Sequence, residues 1–458
     1  MLFRTAMESD RTIEYPPFRN MTKRLHIETW GCQMNLHQSE GLAGAMVEAG
    51  YELVDRIELA DVVLFNGCMV RQKAEDKVYG RIGAVVEEKR KRDVVLGVGG
   101  CLGQVRGDSL LSRFSAIDFV FGSSGHDAIP ALIDQARKVG SRVTSCAAPT
   151  AIDELPHVRS SRIAAMVTIT EGCSNFCSYC VVPYARGPMR SRDPDSILRE
   201  VEDLVEAGTR EILLLGQNVN AYGTDRPAFG GFALLLERVA RTGIDRIRFT
   251  SSHPRDMTDD VLDVMRAEPA ICNHLHLPAQ SGSDRILASM NRGYTVQRYL
   301  EIIDAARDRI DRLNITTDLI VGYPGETDAE FEETMALIDR VRFGSIFAAK
   351  YSPRPLTRSA RVEDDVAVST KRARLERVLK RERQIAMEEN EQWVGRDVQV
   401  LFEATARTGG YIGRAEDHRT IVAREGTIGE LAIVRIEAAS SGGLAGSVVA
   451  HEGIEGMK

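Results

Sequence analysis

Three cysteines, Cys173, Cys177 and Cys180, lie close together in the stretch TEGCSNFCSYCVVPYARG, residues 170–187. Thiolates at this spacing suit a soft metal or an iron–sulfur cluster. A structural zinc site needs four ligands, and no nearby histidine at finger spacing supplies the fourth. A cluster of four irons normally takes four thiolates, so three leave one iron open to a substrate or cofactor. Catalytic zinc sites keep an open position for the same reason.

Five further cysteines complete the set: 32, 68, 101, 146 and 272. Cys32, Cys68 and Cys101 each follow an apolar run and a glycine, in ETWGC, LFNGC and GVGGC. Ligands of open α/β sheets bind beyond the carboxyl ends of the strands. Three cysteines placed there would converge in space, beside glycines that permit close backbone approach. The other reading is three separate core thiols, since free cysteine is often buried. GVGGCLG is not a dinucleotide fingerprint, because Leu102 occupies the place of its last required glycine. Cys146 and Cys272 have no partner at useful spacing and read as ordinary thiols.

The elements that must position these residues are legible as texture. Four apolar runs, RLHIETWG, DVVLFNG, DVVLGVGG and IDFVFG, fall between residues 24 and 122, with helix-like segments between the first three. That alternation predicts an N-terminal open parallel α/β sheet. From about residue 160 to 360 the pattern repeats through AAMVTIT, REILLLG, RIRFTSS, HLHLP, NITTDLIVG and FAAKYS. Six βα units in succession predict a full or partial α/β barrel, with Cys173 just past its first strand. A charged helix over 369–390 leads to short β-like runs from about 391, the pattern of a small all-β barrel. The segments predicted are a tail over 1–22, then 23–145, 159–390 and 391–455.

The chain of 458 residues is 43% hydrophobic and 27% charged, with a formal net charge of −7. It has no overall basic footprint, so any nucleic-acid contact must come from a local patch. No apolar run reaches the roughly 18 residues of a membrane helix, and residues 1–22 lack the apolar core of a secretory signal. These features predict no membrane partner and a cytoplasmic location, where clustered thiols stay reduced and point to metal or catalysis. Monomer is the simplest assembly.

C-x3-C-x2-C after the first barrel strand resembles the signature of the radical S-adenosylmethionine enzymes. A further cysteine trio upstream and a β-barrel downstream resemble the methylthiotransferases within that superfamily, whose last domain is of the TRAM type. TWGCQMN, LLGQNVN, SSHP and YSPRP are most similar to the branch acting on tRNA. Asparagine-glycine-cysteine at Cys68, leucine after Cys101 and RPLT in place of arginine-proline-glycine-threonine depart from that pattern, with all six cysteines kept. The resemblance implies two [4Fe–4S] clusters, one on Cys173, Cys177 and Cys180, and an auxiliary one on Cys32, Cys68 and Cys101. It also implies two molecules of S-adenosylmethionine per turnover, a flavodoxin-type electron donor, and tRNA as partner. The product would carry a methylthio group on carbon 2 of N6-isopentenyladenosine beside the anticodon. A ribosomal-protein aspartate or N6-threonylcarbamoyladenosine are the other substrates of the family.

Other candidates come from strand ends. Gln217 and Asn218 suit contact with cofactor or substrate, or strand-end capping. Ser251, with Ser252 and His253, and Gln280, with Ser281, either line the cavity or hydrogen-bond their loops. Asp318 lies within its strand, where a buried carboxylate needs a partner; functional and structural pairing are both open. Tyr184, Arg186, Arg190 and Arg192 in YARGPMRSR form the best local RNA patch, since guanidinium forks suit phosphate and tyrosine can stack. The alternative is ion pairing with the acidic helix that follows. The C-terminal barrel is acidic, with ten Asp/Glu against seven Lys/Arg over 391–458, so bulk charge gives it no RNA footprint. Arg407, Tyr411 and Arg414 in its first hairpin are the local candidates.

Overall fold

The computed structural model describes residues 23–70, 72–139, 142–407 and 409–451. The expected tail over 1–22 and residues 452–455 of the expected C-terminal barrel lie outside the described residues.

The first region alternates strands and helices: β1 (Lys23–Trp30), α1 (Gln33–Glu48), β2 (Tyr51–Leu53), β3 (Val62–Gly67), α2 (Gln72–Lys89), β4 (Val95–Gly99), α3 (Gly100–Arg106), α4 (Asp108–Arg113), β5 (Phe119–Phe121), α5 (Ile129–Val139) and β6 (Val143–Ser145). The sheet is parallel throughout, in the order β2-β1-β3-β4-β5-β6. Every residue of β3 and β4 is buried, as expected for central strands covered on both faces. The four apolar runs became β1, β3, β4 and β5. Strands β2 and β6 escaped the sequence reading because three residues carry too little periodicity.

The second region runs β7 (Ala164–Thr168), β8 (Thr170–Glu171), α6 (Val182–Arg186), β9 (Arg190–Ser191), α7 (Pro194–Glu206), β10 (Glu211–Leu215), α8 (Phe232–Ala240), β11 (Arg246–Phe249), α9 (Asp259–Ala267), β12 (His274–His276), α10 (Asp284–Ser289), α11 (Val296–Arg309), β13 (Asn314–Val321), α12 (Asp328–Val341) and β14 (Ser345–Lys350). Its large strands form two parallel three-stranded sheets, β11-β10-β7 and β12-β13-β14. One bridge, Ile247 to Ile271, joins them, so the architecture is an open arc of six strands, a partial barrel. Its outer face packs Ile212, Leu214, Ile247, Leu275, Ile315 and Leu319 beneath the helices. The alternate positions, including Arg246, Arg248, His274, His276, Thr316 and Asp318, share the opposite, concave face.

Helix α13 (Val368–Glu391) then crosses to a closed barrel of β15 (Asp397–Thr405), β16 (Tyr411–Ala415), β17 (Thr420–Ala423), β18 (Leu431–Ser440) and β19 (Gly443–His451), ordered β15-β16-β17-β19-β18. The β16–β17 turn closes the lower end of the arc, where the strands begin. Arg246 donates to the carbonyls of Arg414 and Gln399, at 2.7 and 3.2 Å. Arg248 donates to those of Glu416 and Ala415, at 2.8 and 2.7 Å. Asn314 Nδ2 donates to the Asp417 carbonyl at 2.6 Å, and the His274 and His418 rings stack at 4.6 Å.

Candidate active site

Each of the upstream cysteines stands where a strand of the first sheet gives way to a loop or helix. Cys32 is the N-cap of α1, Cys68 follows β3, and Cys101 lies in the first turn of α3. A buried polar lattice fixes the first of these loops. Cys32 Sγ donates to Asn35 Oδ1 at 3.4 Å, Asn35 Nδ2 to Asn66 Oδ1 at 3.0 Å, and Asn66 Nδ2 to the Asn35 carbonyl at 2.9 Å. Gly100 has φ +73, and a Cβ there would overlap the Asn66 side chain, so the approach of β4 to β3 needs glycine.

The Cys32 and Cys68 thiols are near neighbours, each acting on the other's proton affinity. Interaction with Cys68 lowers the Cys32 pKa to about 5 against the effect of burial, with the Arg186 cation assisting. The same interaction raises Cys68 well above the usual thiol value, with burial acting in the same direction. Burial also raises Cys101, opposed by Arg186. One low and two raised thiols crowded around a guanidinium form a donor set suited to an iron–sulfur cluster, in which the metal replaces the protons.

The second trio belongs to the loop after β8. Gly172, at φ +77, folds the chain against the Pro188 carbonyl, where any Cβ would overlap. Cys173 N donates to the Gly187 carbonyl at 3.2 Å, and Cys180 N to the Cys177 carbonyl at 2.9 Å. Burial raises Cys173, and burial together with the Cys177 charge pushes Cys180 up to about 12. Arg292, 5% exposed, places Nη1 3.4 Å from Cys177 Sγ and 3.4 Å from the Tyr179 hydroxyl. The sequence reading missed this cation. A single arginine in MNRGY carries no signal of what it faces.

The strand-end residues gather beside this loop. Gln217 Oε1 accepts from Gly172 N at 2.5 Å. Asn218 Nδ2 donates to Asp256 at 2.6 Å, and Arg255 joins Asp256 to Asn175 within the cysteine loop. Gln217 Nε2, Asn218 Oδ1, Ser252 Oγ and His253 Nε2 are buried without a hydrogen-bond partner. Burial, with Arg292 and Arg255, holds His253 at about 2, hence neutral. Orphaned donors and acceptors of this kind call for a polar ligand, and a methionine-nucleoside cofactor with amine, carboxylate and ribose hydroxyls fits them. Ser251 and Gln280 both have left-handed backbones, φ +63 and +71, the strain that collects at ligand sites.

Three expectations change. Asp318 is not buried: its side chain is 39% exposed within the concave face, with His276 Nε2 3.7 Å away. Arg186 is not an RNA contact, because it is 2% exposed, donates to Gln38 at 2.9 Å and lies 3.6 Å from Glu171. Arg190 and Arg192 are ion-paired, but only Arg192 with Glu200 pairs with the helix that follows; Arg190 meets Glu171 at 3.3 Å and Arg192 also meets Glu154, both upstream. Tyr184 alone of the four remains exposed. In the C-terminal hairpin, Arg414 is engaged by Glu403 and His418.

Short helix α6 connects the two trios. It begins two residues after Cys180 and ends on Arg186, whose charge acts on the Cys32 and Cys101 thiols. Val181 and Ala185 pack in one core with Cys101 and Leu102, and Ser123 Oγ donates to the Ala185 carbonyl at 2.6 Å. Another ligand-like group, His37, His157 and Glu200, has its polar atoms within 4.8 Å of one another. Glu200 there is already shared by Arg159 and Arg192, which compensates its charge without a metal.

Comparison with known proteins decides the family. Residues 167–338 match the radical SAM superfamily, and residues 24–122 match the uncharacterized protein family UPF0004. A tRNA-2-methylthio-N(6)-dimethylallyladenosine synthase of Thermoanaerobacter sp. (strain X514) is 42% identical over 93% of this chain and 92% of its own. The synthase of Geobacter sulfurreducens is 40% identical over 94% and 98%. The chain belongs to the tRNA-2-methylthio-N(6)-dimethylallyladenosine synthase family. Among solved structures, the radical S-adenosylmethionine methyltransferase TsrM of Kitasatospora setae shares the fold, with a TM-score of 0.56 over 74% of each chain at 14% identity. Membership in this synthase family, within the radical SAM superfamily, entails a [4Fe–4S] cluster and S-adenosylmethionine. Among the described residues no helix is long and apolar enough to cross a membrane.

Proposed function

We propose that this chain adds a methylthio group to carbon 2 of N6-isopentenyladenosine beside the anticodon of tRNA. The observation that carries the reading is the pairing of two thiol trios through α6 in a member of this family. Residues 23–145 would form the auxiliary-cluster domain, 159–390 the radical domain and 391–455 the TRAM-type barrel.

Cys173, Cys177 and Cys180 hold one [4Fe–4S] cluster and Cys32, Cys68 and Cys101 a second. Bound at the first trio, cluster and S-adenosylmethionine would together supply the one-electron chemistry that activates the carbon 2 C–H bond, and a second cofactor molecule would supply the methyl group. The chain's own residues orient and exclude. Gln217, Asn218, Ser252 and His253 offer their orphaned atoms to the cofactor, with Ser251 and Gln280 shaping the wall and Asp318 facing the cavity. Arg292 offsets negative charge at the first trio, and Arg186 does so at the second. An electron donor of flavodoxin type and a cytoplasmic setting suit this chemistry.

Mass spectrometry of tRNA nucleosides from a deletion strain tests the substrate. Loss of methylthio-isopentenyladenosine, restored by the gene, is the expected result, and its persistence would refute the proposal. Anaerobic reconstitution should give roughly eight irons per chain, because each cubane holds four.

A further inference from the structure

Two aromatic side chains near the first trio stand outside the packed core. Phe176 is 48% exposed and Tyr184 39%, yet their rings meet edge to face, with centroids 6.2 Å apart at 82°. The exposure is built in. Phe176 sits at φ +48, a left-handed conformation that costs a bulky residue energy unless its surroundings impose it. They do so here. Asn291 Nδ2 donates to the carbonyls of Asn175 and Phe176 at 3.2 and 3.1 Å, and Arg255 donates to Asn175 Oδ1 at 2.5 Å.

Tyr179, three residues on, turns the opposite way. It packs against the Ile286, Met290, Tyr323 and Tyr351 cluster with its hydroxyl toward Arg292. One loop thus presents one aromatic inward and one outward. Tyr184 sits at the middle of α6, whose two ends reach the two trios, so the Phe176–Tyr184 pair lies between them.

Two more exposed apolar groups lie on the segments that meet there. Val70, 48% exposed, is two residues past Cys68, and Leu356, 52% exposed, has φ +69. Leu356 belongs to a strap fastened at both ends. Arg354 donates to Gln72 at 3.2 Å, and Ser359 N donates to the Ser178 carbonyl at 2.8 Å. On the same strap Arg358 and Arg361 are exposed, and neither has an ion-pair partner among the described residues. Single exposed apolar side chains need no explanation. An exposed aromatic pair with Phe176 held in a left-handed backbone, close to both trios and with unpaired cations on the strap, matches a flat apolar group carried on a phosphate backbone.

We propose that Phe176 and Tyr184 form a clamp for the prenylated adenine, one ring stacking on the base and the pair's apolar edge receiving the branched alkyl group. The assignment rests on the tRNA reading above and adds to it the residues that sense the prenyl group.

The test uses the reconstituted full chain and two synthetic anticodon stem–loops, identical except for N6-isopentenyl or unmodified adenosine. Fluorescence anisotropy without oxygen gives both affinities. The wild-type chain should prefer the prenylated RNA. Phe176→Leu with Tyr184→Leu should weaken binding of that RNA roughly tenfold and collapse the preference, while Phe176→Tyr retains it. A double variant that holds its iron and keeps the preference, or loses affinity equally for both RNAs, overturns the clamp. Should the double variant lose iron, Tyr184→Leu alone is judged by the same criterion. A wild-type chain that methylthiolates tRNA but binds both stem–loops equally overturns the clamp and leaves the tRNA reading standing. One that binds neither refutes both.

Discussion

The two thiol trios are built by opposite means. Cys173, Cys177 and Cys180 share one loop, fixed by local hydrogen bonds and by Gly172. Cys32, Cys68 and Cys101 are distant in sequence and meet only because parallel strands end along one edge of a sheet. Their cations differ in the same sense. Arg292 serves the local trio from within the arc, whereas Arg186 reaches the dispersed trio from the chain's second region. The local site can form once its arc has folded, while the dispersed one is complete only when two regions have docked.

The sharpest way to break this comparison is to remove one thiol from each trio. Cys177→Ala should abolish cleavage of S-adenosylmethionine by the reduced protein. Cys68→Ala should leave cleavage measurable while eliminating methylthiolated nucleoside. Each should cost about half of the iron. Loss of cleavage in both would mean that the trios do not act separately.

Docking predicts the next effect. Arg186→Met leaves the buried Glu171 with only Arg190 and should destabilise the chain by about 3 kcal/mol, seen as a lower denaturation midpoint and poorer retention of the second set of irons. Arg292→Met should spare that second set and instead raise the KM for S-adenosylmethionine. Equal iron loss from both variants would erase the distinction drawn here.

The far end of the arc gives a smaller effect. Arg248→Met removes two donors to the β16–β17 turn and should cost about 2 kcal/mol. Limited proteolysis should then cut near residues 391–397 well before the wild-type chain is cut there.

The least of the four is a pH effect at the docking seam. The His37 and His157 rings meet tilted at 42°, with centroids 4.5 Å apart, and Arg159, Arg192, Arg186 and Glu200 act on them. Burial lowers His157 to about 4 and His37 well below the usual imidazole value, and the arginines act in the same direction. The unfolded chain therefore binds more protons below about pH 6.5, so stability falls as pH drops from there toward 4. Replacing His157→Asn should remove about 1–2 kcal/mol of that slope in thermal denaturation of the iron-free chain. An unchanged slope would place the acid sensitivity elsewhere.

Legibility followed the same division. The C-x3-C-x2-C loop announces itself, and apolar runs located all six large strands of the arc. The cysteines after glycine at the ends of apolar runs were readable because strand ends are where α/β sheets bind ligands. What stayed hidden depends on the path of single side chains. YARGPMRSR looked like a basic surface because sequence shows charge without direction; three of its cations turned inward to Glu171, Glu154 and Glu200. Asp318 looked buried for its place in a strand, although the concave face leaves it open. Arg292 and the outward turn of Phe176 had no periodicity to betray them. Strand β19 was missed because GLAGSVVAH alternates weakly and holds two glycines.

Helix α6 spans only Val182–Arg186, and that brevity sets a gauge. Each added residue turns a helix by about 100° and lengthens it by about 1.5 Å. One inserted alanine would swing Arg186 off Cys101 and displace Tyr184 from Phe176 at the same time. Natural length variation should therefore be absent from this segment even where surface loops vary freely, and drift in it would mark a lineage in which the two thiol trios are no longer held together.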